Sequence, residues 1–574
     1  MSTQPARSRS LLFLGILINL VIFPLNHIVG LVVNHGDYTP FAVAPQVSAQ
    51  VYDETQAYVP VPSRFFRTGQ IEVELDVYEL RNSPNSYPVA HSVLLGLLAK
   101  AVGSLERGWM LSHAIGPTLI WAVLFWIACG FVGSGPLAMA ISWAVCFIAF
   151  GPRNFLLVAK DSFIQPLELT RMPQPGLAFL FLILAIWLLA RALAKPNFIR
   201  ILAAGILAGS LFYIYYFYWI AFFAGAGSLS VALFVIGQRT YAKSTAFVIG
   251  LGCLVGIPFF VWTVEATRAG HQRDLMMRVG AFTRSPHWIG IALAVLLAVA
   301  LWFYCRMRIH SQPYEKTDAQ PLFAAVLLAT ALGAAIGNNF QVLTGFDAQH
   351  DHFYNRALQP LLGYFFLLML FRNVRRPPVA AVIAVIAALL GVAARRQIEV
   401  GKNTAPYQRK SNPDMDVLIW ARSHLSSDAV IGSNDGNLLT MIPAIDGVWT
   451  FVPRGDRSMA SSEEILTRYL LLCRLEGWNW QKVEDDLQSD SHQHPNASPI
   501  VYTLITAHKL LPESQAMART IWGKIDLATD FRDRRLDYLM ERKDEGAPVF
   551  PTRQEPFSEL YENSAWRLFR VPQR

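Results

Sequence analysis

Up to position 394 the sequence is a succession of apolar stretches, each of about 15 to 23 residues, joined mostly by short polar links. Packing so many into a water-soluble core would require a wide polar surface, and only 16% of the residues are charged against 53% hydrophobic. In a bilayer the same stretches are stable as helices, because a helix satisfies its own backbone where no water can. We read eleven spans, near 11–33, 109–131, 135–151, 175–192, 199–215, 217–237, 244–264, 288–305, 321–338, 358–372 and 377–394. The expected fold is an α-helical polytopic membrane protein of about eleven transmembrane helices over 1–394, followed by a mixed α/β domain over 395–574.

Orientation follows from the cations. Arg7 and Arg9 precede the first span, and no Ala-x-Ala cleavage site follows it, so it is kept as a span with the N-terminus cytoplasmic. Alternating from there, four cytoplasmic links carry Arg191, Lys195 and Arg200; Arg239 and Lys243; Arg306, Arg308 and Lys316; and Arg372, Arg375 and Arg376. This is the positive-inside pattern, and it accounts for much of the net charge of +8 without a polyanionic partner such as nucleic acid. Segment 265–287, with Arg268, Arg273, Arg278 and Arg284, runs against it. The expected location is a bacterial inner membrane, multi-pass, with the C-terminal domain extracytoplasmic.

On this topology the extracytoplasmic side receives a long first loop (34–108), then 152–174, 265–287, 339–357 and the final domain. The first loop carries Asp37, Asp53, Glu54, Glu72, Glu74, Asp76 and Glu79, and ends in a moderately apolar stretch, 88–103, read as an interfacial helix. Loop 152–174 offers Lys160, Asp161, Glu168 and Arg171, with Pro173 and Pro175 breaking any helix before the next span. Loop 339–357 is densely polar, from Asp347 through His350-Asp351-His352 to Tyr354 and Arg356, directly against a span. Such density at a bilayer edge calls for a reason.

Three chemistries compete for these residues. His350, Asp351 and His352 could ligate a divalent metal, but consecutive residues without a spaced partner set make a poor ligand pattern, so a metal stays open but is not favoured, and no other cofactor is expected. An anion fits better: Arg356 at the mouth of a span, with imidazoles nearby, suits a phosphate whose lipid tail lies in the bilayer. Asp53-Glu54, flanked by Tyr52 and Tyr58 near the membrane surface, offers a carboxylate able to take a proton from a hydroxyl. The run Phe212-Tyr213-Ile214-Tyr215-Tyr216-Phe217-Tyr218-Trp219 is accounted for by an interfacial aromatic belt, with a lipid or sugar groove as the alternative.

Taken together, these features resemble the GT-C class of multi-span glycosyltransferases. The resemblance rests on Asp53-Glu54 with Tyr58 after the first span, and on Tyr87-Pro88 leading into Leu94-Leu95-Gly96-Leu97. It rests also on Arg171-x-Pro173-x-Pro175, on Gly205 to Gly209 running into Tyr213, and on His352-Phe353-Tyr354-x-Arg356 before a late span. It implies inverting transfer of a hexosyl or pentosyl unit from a polyprenyl-phosphate donor to an envelope glycan, lipid or protein acceptor. On that pattern Asp53 is the base with Glu54 as its substitute; Arg356, His350, His352 and Arg171 hold the donor phosphate; Tyr58, Tyr215 and Tyr354 line a substrate groove. No Asp-x-Asp stands in the short outer loops, which favours a metal-independent reaction.

In the final domain, 415–422 and 461–476 have helical spacing, while 428–432, 536–540 and 566–571 read as strands. Cys129, Cys146, Cys253 and Cys305 fall in apolar spans, leaving Cys473 without an internal disulfide partner in that domain. No phosphate-binding G-x-x-x-x-G-K-[ST] loop is present. The competing class is transport, a lipid-linked glycan flippase or another multi-span transporter. Carriers usually place ionisable groups within broken helices at mid-membrane, whereas these spans are nearly free of charge. A scaffold anchored by its spans ranks last, since one span would serve as an anchor.

Overall fold

The computed structural model describes residues 4–43, 49–72, 74, 76–84, 88–151, 165–268, 272–310, 319–347, 349–373, 377–433, 435–455, 457–488, 512–543 and 557–572. The chain is a polytopic, mainly helical protein with two compact units. One comprises Met1–Ile28, Met110–Val261 and Phe282–Gly401; the other comprises Val29–Trp109, Trp262–Ala281 and Lys402–Arg574.

Among the described residues, six helices are long and apolar enough to cross a membrane: Leu105–Val132, Tyr216–Val235, Arg239–Arg268, Trp288–Arg308, Ala319–Gly337 and Val379–Tyr407. The first predicted span is bent by 43° between Ser8–Ile22 and Leu25–Val33, and counts as a seventh if the pair is one span. Pro24 stands at this break. Gly135–Ala149, Ala178–Ala194 and Phe198–Ile214 coincide with predicted spans but are shorter. Length therefore supports six or seven crossings, and the count of eleven is not established.

In the first unit, Ala319–Gly337 is the central helix, with 83% of its apolar window buried against 22% for Arg239–Arg268. Its small residues allow this. A Cβ on Gly333 would lie 1.9 Å from the Ala221 carbonyl oxygen, and one on Gly225 2.3 Å from that of Ala329, so the helix backbone approaches Tyr216–Val235 directly. The outer helices leave Phe247, Leu254, Val295 and Val385 more than half exposed. Apolar faces of this extent suit lipid contact.

The second unit carries a five-stranded sheet in the order Trp449–Thr450, Val430–Ser433, Tyr538–Arg542, Trp566–Arg570, Ser558–Glu562. The first two pairings are parallel and the last two antiparallel. Helices Pro413–His424 and Ser462–Leu475 start where the sequence supplies caps: Asn412 accepts from the Asp414 N–H at 3.0 Å, and Ser461 from that of Glu464 at 3.1 Å. The expected mixed α/β domain is thus observed, and it shares its unit with the first loop.

Most of that loop's acids turn out to be structural. Glu74 accepts from the Met459 N–H at 2.6 Å, Asp76 from that of Arg454 at 3.2 Å, and Glu79 from Arg468 at 2.8 Å. Glu72 pairs with Arg64, whose Nη2 also reaches Asp428 at 3.1 Å, and Asp37 accepts from the Ser411 hydroxyl. Burial pushes the Glu74 carboxyl up to about 7, with Asp76 adding to the shift and the N–H donors opposing it. The stretch 88–103 is a helix, Ala90–Val102, and Gly96 lets the Phe65 ring close onto it. Arg278, read as an exception to the charge pattern, is buried and donates to the carbonyls of Ser458 at 3.0 Å and Ala460 at 2.9 Å. It holds backbone of the sheet-bearing unit, a structural reason for a cation in this segment.

Candidate functional site

The first unit brings together residues from three separate stretches of sequence. Tyr215 sits in extended backbone (φ −160°, ψ 125°) between the Phe198–Ile214 and Tyr216–Val235 helices. That break turns its side chain out of the helical ladder, and its hydroxyl meets His352 Nδ1 and Arg356 Nη1, each at 2.9 Å. Phe353–Leu358 is one wide turn of π-helix, and the Tyr218 hydroxyl donates to the Arg356 carbonyl oxygen at 3.1 Å. A π turn leaves backbone groups out of the regular ladder, and this phenol supplies one partner.

From the third stretch, Glu168 approaches Arg356 Nε at 3.9 Å, and Arg396 donates to the Gln165 carbonyl at 2.5 Å. Burial holds the His352 imidazole well below its usual range, and Arg356 and then Arg171 push it further down. The ring is therefore neutral. A guanidinium has only donors, so Arg356 Nη1 donates to the Tyr215 oxygen, which also lies at hydrogen-bond distance from His352 Nδ1. Phe217 packs edge-on against both His352 and Phe353, with centroids 4.8 Å apart in each case.

Four of the residues singled out from sequence meet here: Arg171, Tyr215, His352 and Arg356. The cluster joins two cations, one carboxylate, a neutral imidazole and phenols in a largely dry setting. Such a set can stabilise an anion, most simply a phosphate ester. The aromatic run is not a surface belt, since Tyr215 and Phe217 are buried and Tyr218 is wholly so. Phe212 is buried as well, against Trp219 at 4.8 Å and the partly exposed Phe260 at 4.9 Å.

Other expected members fall elsewhere. His350 does not join His352; its Nδ1 lies 3.1 Å from Asp347 Oδ2, which His287 Nε2 meets at 3.0 Å. Tyr354 is 41% exposed and does not line the cluster's interior. Glu54 and Tyr58 are buried in the second unit, on the Ala49–Tyr58 helix that also carries the backbone of Asp53. The Asp53 side chain, together with Lys160, Asp161 and Tyr87, lies outside the described residues. Sequence reading missed His287 and Tyr218. His287 immediately precedes a span on the same side as loop 339–357, which was the available signal.

No family model matches the chain, and no curated protein does. Among solved structures, the crystal structure of ArnT from Cupriavidus metallidurans bound to undecaprenyl phosphate is similar over 96% of this chain and 99% of that one. The TM-score is 0.48 and the identity 11%, values too low for a shared activity to follow.

Proposed function

We propose that the chain is a membrane glycosyltransferase of the GT-C kind, moving a sugar from a polyprenyl-phosphate donor to an envelope glycan, lipid or protein acceptor on the extracytoplasmic face. The observation that carries this reading is the Arg356 guanidinium, 4% exposed beside a span and hydrogen-bonded to Tyr215, with Arg171 close enough to influence the same imidazole. Buried cations beside lipid-facing helices suit a phosphate on a hydrocarbon chain. In the reaction, a carboxylate of the first loop, Asp53 or Glu54, takes the proton of the acceptor hydroxyl. The acceptor oxygen bonds to the anomeric carbon from the face opposite the donor phosphate, and the bond from that carbon to the phosphate oxygen breaks. Its electron pair leaves on the polyprenyl phosphate, whose growing charge Arg356 and Arg171 stabilise. Configuration at the anomeric carbon inverts.

The test uses the full chain purified in detergent, polyprenyl-phosphate sugars and a cell-envelope acceptor extract. Wild type releases polyprenyl phosphate; Asp53→Asn and Arg356→Gln, matched for folding, lose most of that release, and Arg356→Lys keeps part of it. Substrate-dependent lipid movement in vesicles, without release from any donor, overturns the reading in favour of a transporter.

A further inference from the structure

In the first unit, outside the arginine cluster, His287, Asp347 and His350 present their ligand atoms to one another within 4.8 Å. His287 Nε2 and His350 Nδ1 share a single carboxylate oxygen, Asp347 Oδ2, at 3.0 and 3.1 Å, and the two imidazoles stack with centroids 4.0 Å apart. We propose that these three residues bind a divalent late-transition-metal ion, with zinc as the first expectation.

Geometry and chemistry agree on this. Zinc bonds of about 2.0–2.1 Å in tetrahedral array separate neighbouring ligand atoms by roughly 3.3 Å; the two imidazole-to-carboxylate distances need to open by a few tenths of an ångström, and the two ring nitrogens, within 4.8 Å of each other, adjust to match. Two imidazole nitrogens and one carboxylate oxygen form a usual zinc set with the fourth position left for water. The three side chains are 31%, 14% and 39% exposed, which leaves an approach for the ion. The other ring nitrogen of His350 lies 3.4 Å from Asp351, the outer carboxylate that commonly orients a metal-bound histidine and raises its basicity.

The backbone around the site is already braced. Asn339 accepts from the His287 N–H at 2.8 Å, and Gln341 donates to the Ser285 carbonyl at 3.1 Å. The Thr283 N–H donates to the Gly345 carbonyl at 3.1 Å, and Arg284 to that of Val342 at 3.0 Å. Two loops distant in sequence are thus held in register before any ion arrives. Once bound, it pins the segment that leads through His350 into His352 and Arg356.

The test is metal content and cobalt spectroscopy on the full chain, purified without a polyhistidine tag because the sequence already holds 13 histidines. The protein is stripped with chelator, dialysed against zinc or cobalt chloride and freed of excess ion. Wild type should retain one equivalent more zinc than Asp347→Asn or His287→Asn, and with cobalt should give a visible band of tetrahedral strength that those variants lack. Asp351→Asn, which leaves all three ligands and alters a 76% exposed side chain, should weaken binding about 10- to 100-fold. Wild type retaining no zinc, or Asp347→Asn and Asp351→Asn both binding as wild type does, overturns the proposal. Neither readout depends on glycosyl transfer.

Discussion

Tyr215→Phe removes one oxygen atom and leaves the ring in place, so it isolates the hydroxyl that joins Arg356 to His352. Both partners sit 2.9 Å from that oxygen; Arg356 is buried and His352 half-buried. The substitution leaves Nη1 of a guanidinium and Nδ1 of a neutral imidazole without this contact in a site water enters poorly. A hydrogen bond between neutral groups contributes about 1 kcal/mol and one to a charged group about 1.5–3 kcal/mol, so the loss should be about 2–4 kcal/mol. Tyr218→Phe is the internal control: its hydroxyl makes one bond, to a backbone carbonyl, at 3.1 Å, and its removal should cost about 1–2 kcal/mol. The assay is equilibrium unfolding of the purified chain in mixed detergent, with a double-mutant cycle pairing Tyr215→Phe with His352→Phe. A coupling of about 1 kcal/mol or more is expected for groups in direct contact. Additive losses, or equal losses for the two tyrosines, would refute the linked arrangement.

Three further outcomes follow from packing and charge. Gly333→Ala should destabilise the first unit by several kcal/mol, since its new methyl would stand 1.9 Å from a carbonyl oxygen that cannot withdraw; thermal melting in detergent checks this. Glu74 holds its proton up to about 7 when folded and releases it near 4.5 when unfolded, so in between the unfolded chain binds fewer protons and stability falls as pH rises, by at most about 3 kcal/mol. Glu476, pushed up to about 8 chiefly by burial, acts in the same direction, and hydrogen exchange of the Val430–Ser433 strand from pH 5 to 8 should report the decline, with Glu74→Gln reducing its slope. Arg278→Lys keeps the charge but loses the planar fork that serves the carbonyls of Gly455, Ser458 and Ala460 and the Ser462 hydroxyl; it should expose the 457–462 segment to limited proteolysis, and unchanged cleavage would argue against the brace.

The spans were legible because hydropathy is a local property. The stretches predicted at 199–215 and 288–305 are the helices Phe198–Ile214 and Trp288–Arg308, and the final domain's predicted strands at 428–432 and 566–571 are Val430–Ser433 and Trp566–Arg570. Crossing number was less legible, because a helix of 17 residues and one of 28 look alike until the prolines and helix ends are placed. Apart from Asp53-Glu54, which their aromatic flanks marked, the first loop's acids looked equally available. Glu74 and Glu79 find their partners 385 and 389 residues away, a pairing no local pattern encodes. The candidate site was half legible: His352 and Arg356 share a turn, but Tyr215 comes from 137 residues earlier, and its aromatic neighbours looked like a membrane belt.

Charge balance separates the polar residues that hold the fold from those offered to chemistry. In the second unit the buried cations end on carboxylates or carbonyls: Arg468 on Glu79 and Glu464, Arg64 on Glu72 and Asp428, Arg278 on backbone. Around His352 the arrangement differs. Arg356 and Arg171 both act on the imidazole, and among the described residues Glu168 approaches Arg356 at 3.9 Å and also acts on Arg396. Cations gathered around one neutral ring suit an anion that accepts from them. An anion bound there would stabilise the folded chain in proportion to its affinity, so lipid phosphate should raise the melting temperature of wild type more than that of Arg356→Gln.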